Sequence, residues 1–118
     1  MIDQIAARDF WCFGQLYAVL AAFADDPSNT ISRIGGGRIS VPDDQANELH
    51  NFRTTVLANY PDAAELELMQ VVARVDSILS ERSRGSAQFD EYFWTNKAFA
   101  DHPDWDRIRM MAREFLVR

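Results

Sequence analysis

The segment from Asp3 to Phe23 constrains the fold most, because it carries two adjacent apolar stripes at helical spacing. One stripe comprises Phe10, Phe13, Tyr17, Leu20 and Ala24, and the other comprises Cys12, Leu16, Val19 and Phe23. A helix that is apolar over most of its circumference is usually enclosed by other elements. We therefore predict a central helix, in which Gly14 would let a neighbouring helix approach closely.

Four further helices are predicted from the same periodicity. Proline is favoured at the first position of a helix, and serine is a common N-cap. The predicted starts are Pro42, Pro61, Ser86 and Pro103. His102 or Asp101 would cap the last of these helices. The expected fold is thus all-α: one domain over residues 1–118, a bundle of about five helices.

Residues 25–29 are predicted to form a loop, and residues 31–41 a short β-hairpin or a Gly-rich loop. The β-branched residues around the glycines favour strands, and the glycines permit a two- or three-residue turn. A phosphate-binding loop is not predicted, because Gly35–Gly37 lacks the G-x-G-x-x-G spacing and is followed by Arg38 rather than by Lys-Ser or Lys-Thr. If this segment has a binding function, we expect it to act as a contact arm that presents Arg33 and Arg38 to a partner.

The formal net charge of −6 argues against nucleic acid and anionic membranes as partners and favours a basic protein. Cys12 is the single cysteine, so no intrachain disulfide can form, which is consistent with a reducing cytoplasm. No stretch approaches the roughly 20 apolar residues of a membrane span. We expect a cytoplasmic protein that does not bind membranes.

No motif for catalysis, metal binding or a cofactor stands out. Glu48 and His50 are two residues apart and so lie on different faces of a helix. His102 lies beside Asp101 and Asp104, where helix capping explains all three residues. The chain has two histidines and one cysteine, too few for a typical zinc site, and it has no G-x-S-x-G motif. We therefore predict no catalytic residues, no metal and no cofactor.

The aromatic residues give the remaining signal. Trp11 and Trp105 are expected in the core. Residues 89–94 contain more aromatic side chains than one helical stripe can bury, so either Tyr92 or Trp94 is expected at the surface. An exposed aromatic side chain among carboxylates is typical of an anchor for a protein partner. The alternative for Trp94, which the sequence slightly favours, is simple burial against the first helix.

The C-terminal third, FDEYFWTNKAFADHPDWDRIRMMAREFL, resembles the C-terminal part of small bacterial immunity proteins from contact-dependent growth inhibition and polymorphic toxin systems. The residues that carry the resemblance are Phe93-Trp94, His102-Pro103-x-Trp105, Ile108-Arg109 and Ala112-Arg113-Glu114-Phe115-Leu116. The resemblance implies a cytoplasmic protein that binds a cognate toxin domain and blocks it. Many such toxins are nucleases with basic clefts, which an acidic inhibitor would occupy in place of nucleic acid.

The leading hypothesis is thus an immunity-type inhibitor that acts by binding and has no turnover. The predicted contact surface consists of Asp90, Glu91, Trp94, Asp101, Asp104 and Asp106. A second candidate patch consists of Asp43, Asp44 and Glu48.

Two alternatives stay open at this point. One is a small helical enzyme or ligand-binding domain in which Arg33 or Arg38 holds an anionic ligand. The other is a structural or regulatory subunit that forms a homodimer through the apolar first helix. The sequence does not choose between monomer and homodimer.

Overall fold

The computed structural model describes residues 7–34 and 40–117, and within these ranges every regular element is helical. The described α-helices are α1 (Ala7–Ala24), α2 (Pro27–Ile34), α3 (Val41–Asn59), α4 (Glu67–Glu81), α5 (Asn96–Asp101) and α6 (Pro103–Leu116). Two short 3-10 helices cover Pro61–Glu65 and Tyr92–Trp94. The all-α prediction is confirmed, and the described part of the chain has six α-helices where about five were expected.

Helix α1 packs against α3 and α6, and it buries the stripe that runs from Cys12 to Phe23. Its other stripe is only partly covered, since Phe10 is 53% exposed and Tyr17 is 46% exposed. Trp11, expected in the core, is 57% exposed, so that prediction was wrong. Helix α1 contacts α2, α3, α4 and α6, and within its second stripe Phe10 and Tyr17 face solvent while Leu20 is buried.

The predicted loop at residues 25–29 is confined to Asp25 and Asp26, because α2 begins at Pro27. Asp26 ends the preceding turn, and its Oδ1 accepts hydrogen bonds from the N–H of Ser28 at 3.0 Å and from the Ser28 hydroxyl at 2.7 Å. Pro27 takes the first helical position. The hydroxyl of Thr30 is buried and donates to the carbonyl of Ala22 at 2.8 Å, which holds α2 against the end of α1.

The predicted β-hairpin at residues 31–41 was wrong where the structure describes it. Ile31 and Ile34 belong to α2, and Val41 is the first residue of α3, with Ser40 as its N-cap. Burial of Val41 and Thr30 outweighs the strand preference of β-branched residues. Gly35–Gly37 and Arg38, the centre of the predicted hairpin or contact arm, lie outside the described residues.

The predicted helix that begins at Pro61 is divided. Pro61–Glu65 forms a 3-10 helix, Leu66 is extended, and α4 begins at Glu67. The turn places Ala63 in the core, which one continuous helix would not do, because Ala63 would lie off the buried stripe of α4 that includes Leu68.

Ser86 does not begin a helix, so the predicted fourth helix was wrong over residues 86–91. The loop leads into the 3-10 turn at Tyr92–Trp94, and Thr95 then caps α5 by accepting from the N–H of Ala98 at 3.1 Å. This path lets the ring of Phe93 stack on Trp105, with ring centroids 4.6 Å apart and planes at 12°. Trp105 is buried, as predicted.

The predicted start of the last helix is confirmed. Pro103 takes the first position of α6, and His102 is the N-cap, with its Nδ1 accepting from the N–H of Asp104 at 3.0 Å. None of the described helices is both long enough and apolar enough to cross a membrane.

Candidate functional site

A groove of about 680 Å³ lies between α3, the C-terminal half of α4 and the segment from Ser83 to Trp94. It brings together residues from both predicted patches: Asp43 comes from the second patch, and Glu91 and Trp94 come from the first. Sequence spacing could not pair them, because Asp43 and Glu91 belong to segments that meet only through tertiary packing. We define the groove residues as Asp43, Asn47, His50, Asp76, Glu91 and Trp94.

Trp94 is fixed in the wall of this groove. Its Nε1 donates to the carbonyl of Arg82 at 2.7 Å, and its ring lies edge-on to Phe93 with centroids 4.9 Å apart. Its own carbonyl accepts from the Ser40 hydroxyl at 2.6 Å, which ties the start of α3 to the 3-10 turn. Half-buried and held at both ends, Trp94 presents a rigid aromatic surface rather than a free side chain.

Asp43 and Glu91 differ from the other predicted acidic residues. Both are exposed, and within residues 7–34 and 40–117 neither carboxylate has a hydrogen-bonding or ionic partner. Asp43 lies in the first turn of α3, where the helix dipole favours its negative charge. These two carboxylates are therefore free to receive donors from a binding partner.

Asp104 is an interior residue. It is 8% exposed, and its Oδ2 accepts from Arg82 at 2.7 Å from Nη2 and 2.8 Å from Nε. Its Oδ1 accepts from Arg107 at 3.3 Å. The structure thus places this predicted contact residue in an ion pair that joins the end of α4 to the start of α6.

Asp90 and Asp101 are paired beside the start of α6. Oδ2 of Asp90 lies 3.1 Å from Nε2 of His102, and this hydrogen bond lowers the pKa of Asp90. Asp101 accepts from the hydroxyl of Tyr92 at 2.8 and 3.0 Å, which raises the pKa of Tyr92. Either Tyr92 or Trp94 was expected at the surface. Tyr92 is exposed, whereas Trp94 is half-buried.

The remaining predicted acids lie outside the groove. Asp106 is exposed on α6 and pairs with Arg109 at 3.1 Å. Asp44 accepts from Nε2 of Gln45 at 3.2 Å. Glu48 lies one turn further along α3. Its partial burial, and secondly the negative charge of Asp44, raise the pKa of its carboxyl group. The six residues of the first patch thus divide between the groove and the start of α6, and Asp43 alone of the second patch lines the groove.

Sequence analysis missed a pair that lines the groove, His50 and Asp76. The Asp76 side chain is 9% exposed, and its Oδ2 lies 3.2 Å from Nδ1 of His50 and 3.1 Å from Nη1 of Arg53. A carboxylate only accepts, so Nδ1 donates, and Nε2 of the neutral ring remains an acceptor. The sequence did contain a signal for this pair. Asp76 lies one turn after Val72, so a carboxylate interrupts the apolar stripe that α4 buries.

The groove can therefore bind groups that donate hydrogen bonds. Asp43, Glu91 and His50 supply acceptors, and Trp94 and Phe89 supply aromatic surface. The guanidinium of Arg84 already lies over the ring of Phe89, 5.2 Å from its centroid. An arginine or lysine side chain from another protein matches this combination of carboxylates and aromatic rings.

Nothing among the described residues forms a cluster of three or more metal-ligating side chains. Arg33 is exposed at the end of α2 and does not line the groove. In comparisons with known proteins, no family model, no curated protein and no solved structure matches this chain.

Proposed function

We propose that this chain is an immunity-type protein that binds a cognate basic toxin domain and blocks it. The observation that carries the proposal is the groove, where unpaired Asp43 and Glu91 flank the fixed ring of Trp94. The net charge of −6 supports it, since an acidic surface accelerates association with a basic partner.

Inhibition in this proposal requires binding alone. Arginine or lysine side chains of the toxin would enter the groove, pair with Asp43 and Glu91, and pack against Trp94. A rigid, half-buried tryptophan loses little conformational freedom on binding, and tryptophan is enriched among residues that dominate interface energy. A toxin whose basic residues are occupied in this way cannot use them to hold nucleic acid.

The proposed contact surface is narrower than the two patches taken from sequence. Asp43, Glu91 and Trp94 form its centre, with His50 beside them as an additional acceptor. Asp90, Asp101, Asp106, Asp44 and Glu48 form outlying charges that would steer the partner. Asp104 is left out, because its carboxylate is buried and engaged by two arginines.

The test uses the tagged chain and two variants that each lose two charges. The groove variant is Asp43→Asn with Glu91→Gln, and the control is Asp62→Asn with Glu65→Gln, at exposed positions of the 3-10 helix at Pro61–Glu65. Each protein is incubated with lysate of the native host at low and moderate salt, and the captured proteins are identified by mass.

The expected result is a basic protein captured in stoichiometric amounts by the wild type and the control. With that partner purified, the groove variant should bind at least about 10-fold more weakly, a change of about 1.4 kcal/mol. The wild-type chain should also block the partner's activity. Equal binding by the groove variant, or an activity that the bound chain leaves unchanged, would refute the proposal.

The pair His50–Asp76 favours a second candidate, a ligand-binding domain or enzyme. A histidine held by a buried carboxylate at the wall of a groove is a common arrangement for accepting a proton. A thermal-shift panel of nucleotides, metals and acyl carriers tests this candidate, because a bound ligand raises the melting temperature. A ligand whose shift is lost in His50→Ala would favour it over the inhibitor.

A further inference from the structure

The outer face of α1 is apolar along almost its whole length. No charged residue occurs between Phe10 and Ala24. The exposed residues in this stretch are Phe10, Trp11, Gly14, Tyr17, Ala18 and Ala21. Solvent-exposed helix faces are normally polar, and a continuous apolar surface of this kind marks a contact site.

We infer that this face binds a second copy of the chain, with the two α1 helices antiparallel about a two-fold axis between Gly14 and Tyr17. In that register two large exposed side chains each face a small one. Phe10 faces Ala21 of the second copy, and Tyr17 faces Gly14. A two-fold axis repeats each contact, so the face is complementary to itself.

Gly14 supports a contact outside the chain. A methyl group at this position would have no neighbouring atom within 4 Å, its own helix backbone aside, so the described fold does not require a glycine here. Glycine within a helix lowers helix stability relative to alanine. A close approach by Tyr17 of the second copy gives this glycine a role.

Charge opposes a second copy less at this face than elsewhere on the chain. Each chain carries a net charge of −6, so most surfaces of two copies repel each other. The outer face of α1 is free of charged residues, and it lies away from the groove, which no described α1 residue lines. The dimer would leave the proposed toxin-binding surface open.

The available area fits a weak dimer. Phe10, Trp11 and Tyr17 are about half exposed and would each bury about 100 Å². A neighbouring cavity of about 390 Å³ extends this surface; its lining is apolar apart from Glu67 and consists of Phe10, Phe13, Tyr17, Leu66, Glu67, Leu68 and Phe115. Two copies would then bury on the order of 1,000 Å² in total, near the lower limit for a specific interface.

The test measures the oligomeric state of the full chain by sedimentation equilibrium over a wide range of concentrations. Ala18→Glu places a charge at the centre of the face without disturbing the core, and Ala58→Glu is the control at an exposed position of α3. We expect a concentration-dependent dimer for the wild type and the control, and at least about a 10-fold weaker one for Ala18→Glu.

A pair of variants tests the register. Phe10→Ala should weaken the dimer, and the double variant Phe10→Ala with Ala21→Phe should restore it, because residues 10 and 21 face each other across the axis. A wild-type chain that is monomeric at every concentration overturns the inference; this would be the outcome if a different protein covered the face. A dimer that Ala18→Glu leaves intact overturns it as well.

Discussion

At the residue scale, Arg82 connects the groove to the buried carboxylate of Asp104 at the start of α6. Its guanidinium pairs with buried Asp104, and its carbonyl accepts from Nε1 of Trp94. A single residue therefore links the end of α4 to the start of α6 and sets the position of the groove aromatic. The buried carboxylate of Asp104 fixes the position of Arg82. Its role is therefore structural, because it does not reach the surface to contact a partner.

Asp104→Asn should lower the free energy of unfolding by about 2 kcal/mol, because it weakens a partly buried, charge-assisted pair and leaves Arg82 without its counter-ion. Urea denaturation measures the change. Asp62→Asn is the control, since Asp62 is exposed in the 3-10 helix at Pro61–Glu65 and should contribute less than about 1 kcal/mol. Equal losses in the two variants would contradict a structural role for Asp104.

The pair of Asp90 and His102 should make stability depend on pH. The hydrogen bond lowers the pKa of Asp90 in the folded chain, so the unfolded chain takes up the proton first as pH falls. The stabilisation is therefore complete above the ordinary aspartate value of 3.8 and is lost as pH falls through the lower folded value. Because the carboxylate is partly exposed, we expect it to be worth no more than about 1 kcal/mol.

Melting curves of the wild type and Asp90→Asn between pH 6 and about pH 2 test this dependence. The wild type should melt at the higher temperature near pH 6, and the two curves should approach each other only as pH falls below the ordinary aspartate value of 3.8. A difference that stays constant over the whole range would show that Asp90 acts without changing its protonation.

At the element scale, short helices depend on their caps more than on their length. Helix α5 has six residues, too few to be stable by itself, and the hydroxyl of Thr95 satisfies one of its free N–H groups. The side chain of Asn96 also accepts from the N–H of Val41 at 2.8 Å, which joins α5 to the start of α3.

Thr95→Ala should lower the free energy of unfolding by about 1 kcal/mol, since it removes the cap of α5. Thr55→Ala in the exposed middle of α3 is the matched control, and alanine there should be neutral or slightly stabilising. Urea denaturation of both variants compares them directly. If the two variants lost equal stability, the cap would not explain how α5 is held.

At the scale of the whole molecule, one hydrophobic core contains buried residues from α1, α3, α4, α5 and α6 and from both 3-10 helices. Trp105 lies at its centre, with Phe23, Phe93 and Phe99 around its ring, and its Nε1 donates to the carbonyl of Phe93 at 2.8 Å. Residues from α1, α5, α6 and the 3-10 turn at Tyr92–Trp94 thus share one cluster. We expect them to unfold together.

Unfolding in urea should therefore give coincident transitions by tryptophan fluorescence and by far-ultraviolet circular dichroism. Trp105→Phe should shift both transitions together and cost about 2 kcal/mol, because it leaves a cavity and an unpaired carbonyl at Phe93. Two separate transitions in the wild type would contradict a single cooperative core.

The sequence by itself determined the helical character of the chain and several helix starts. Pro42 and Pro103 lie in the first turns of α3 and α6, and His102 caps α6, as predicted. These features depend on hydrogen bonds and steric contacts between residues a few positions apart. The spacing of apolar residues carries that local information directly.

Tertiary structure decided which apolar stripe of α1 is buried, how residues 25–34 fold, and which acidic residues meet. Phe23 and Phe10 look alike in the sequence, yet one touches Trp105 and the other faces solvent. Asp43 and Glu91 reach the same groove because tertiary contacts, among them the hydrogen bond from the Ser40 hydroxyl to the carbonyl of Trp94, join the two segments. Burial and pairing depend on neighbours far apart in the chain, and local spacing does not specify which neighbours those are.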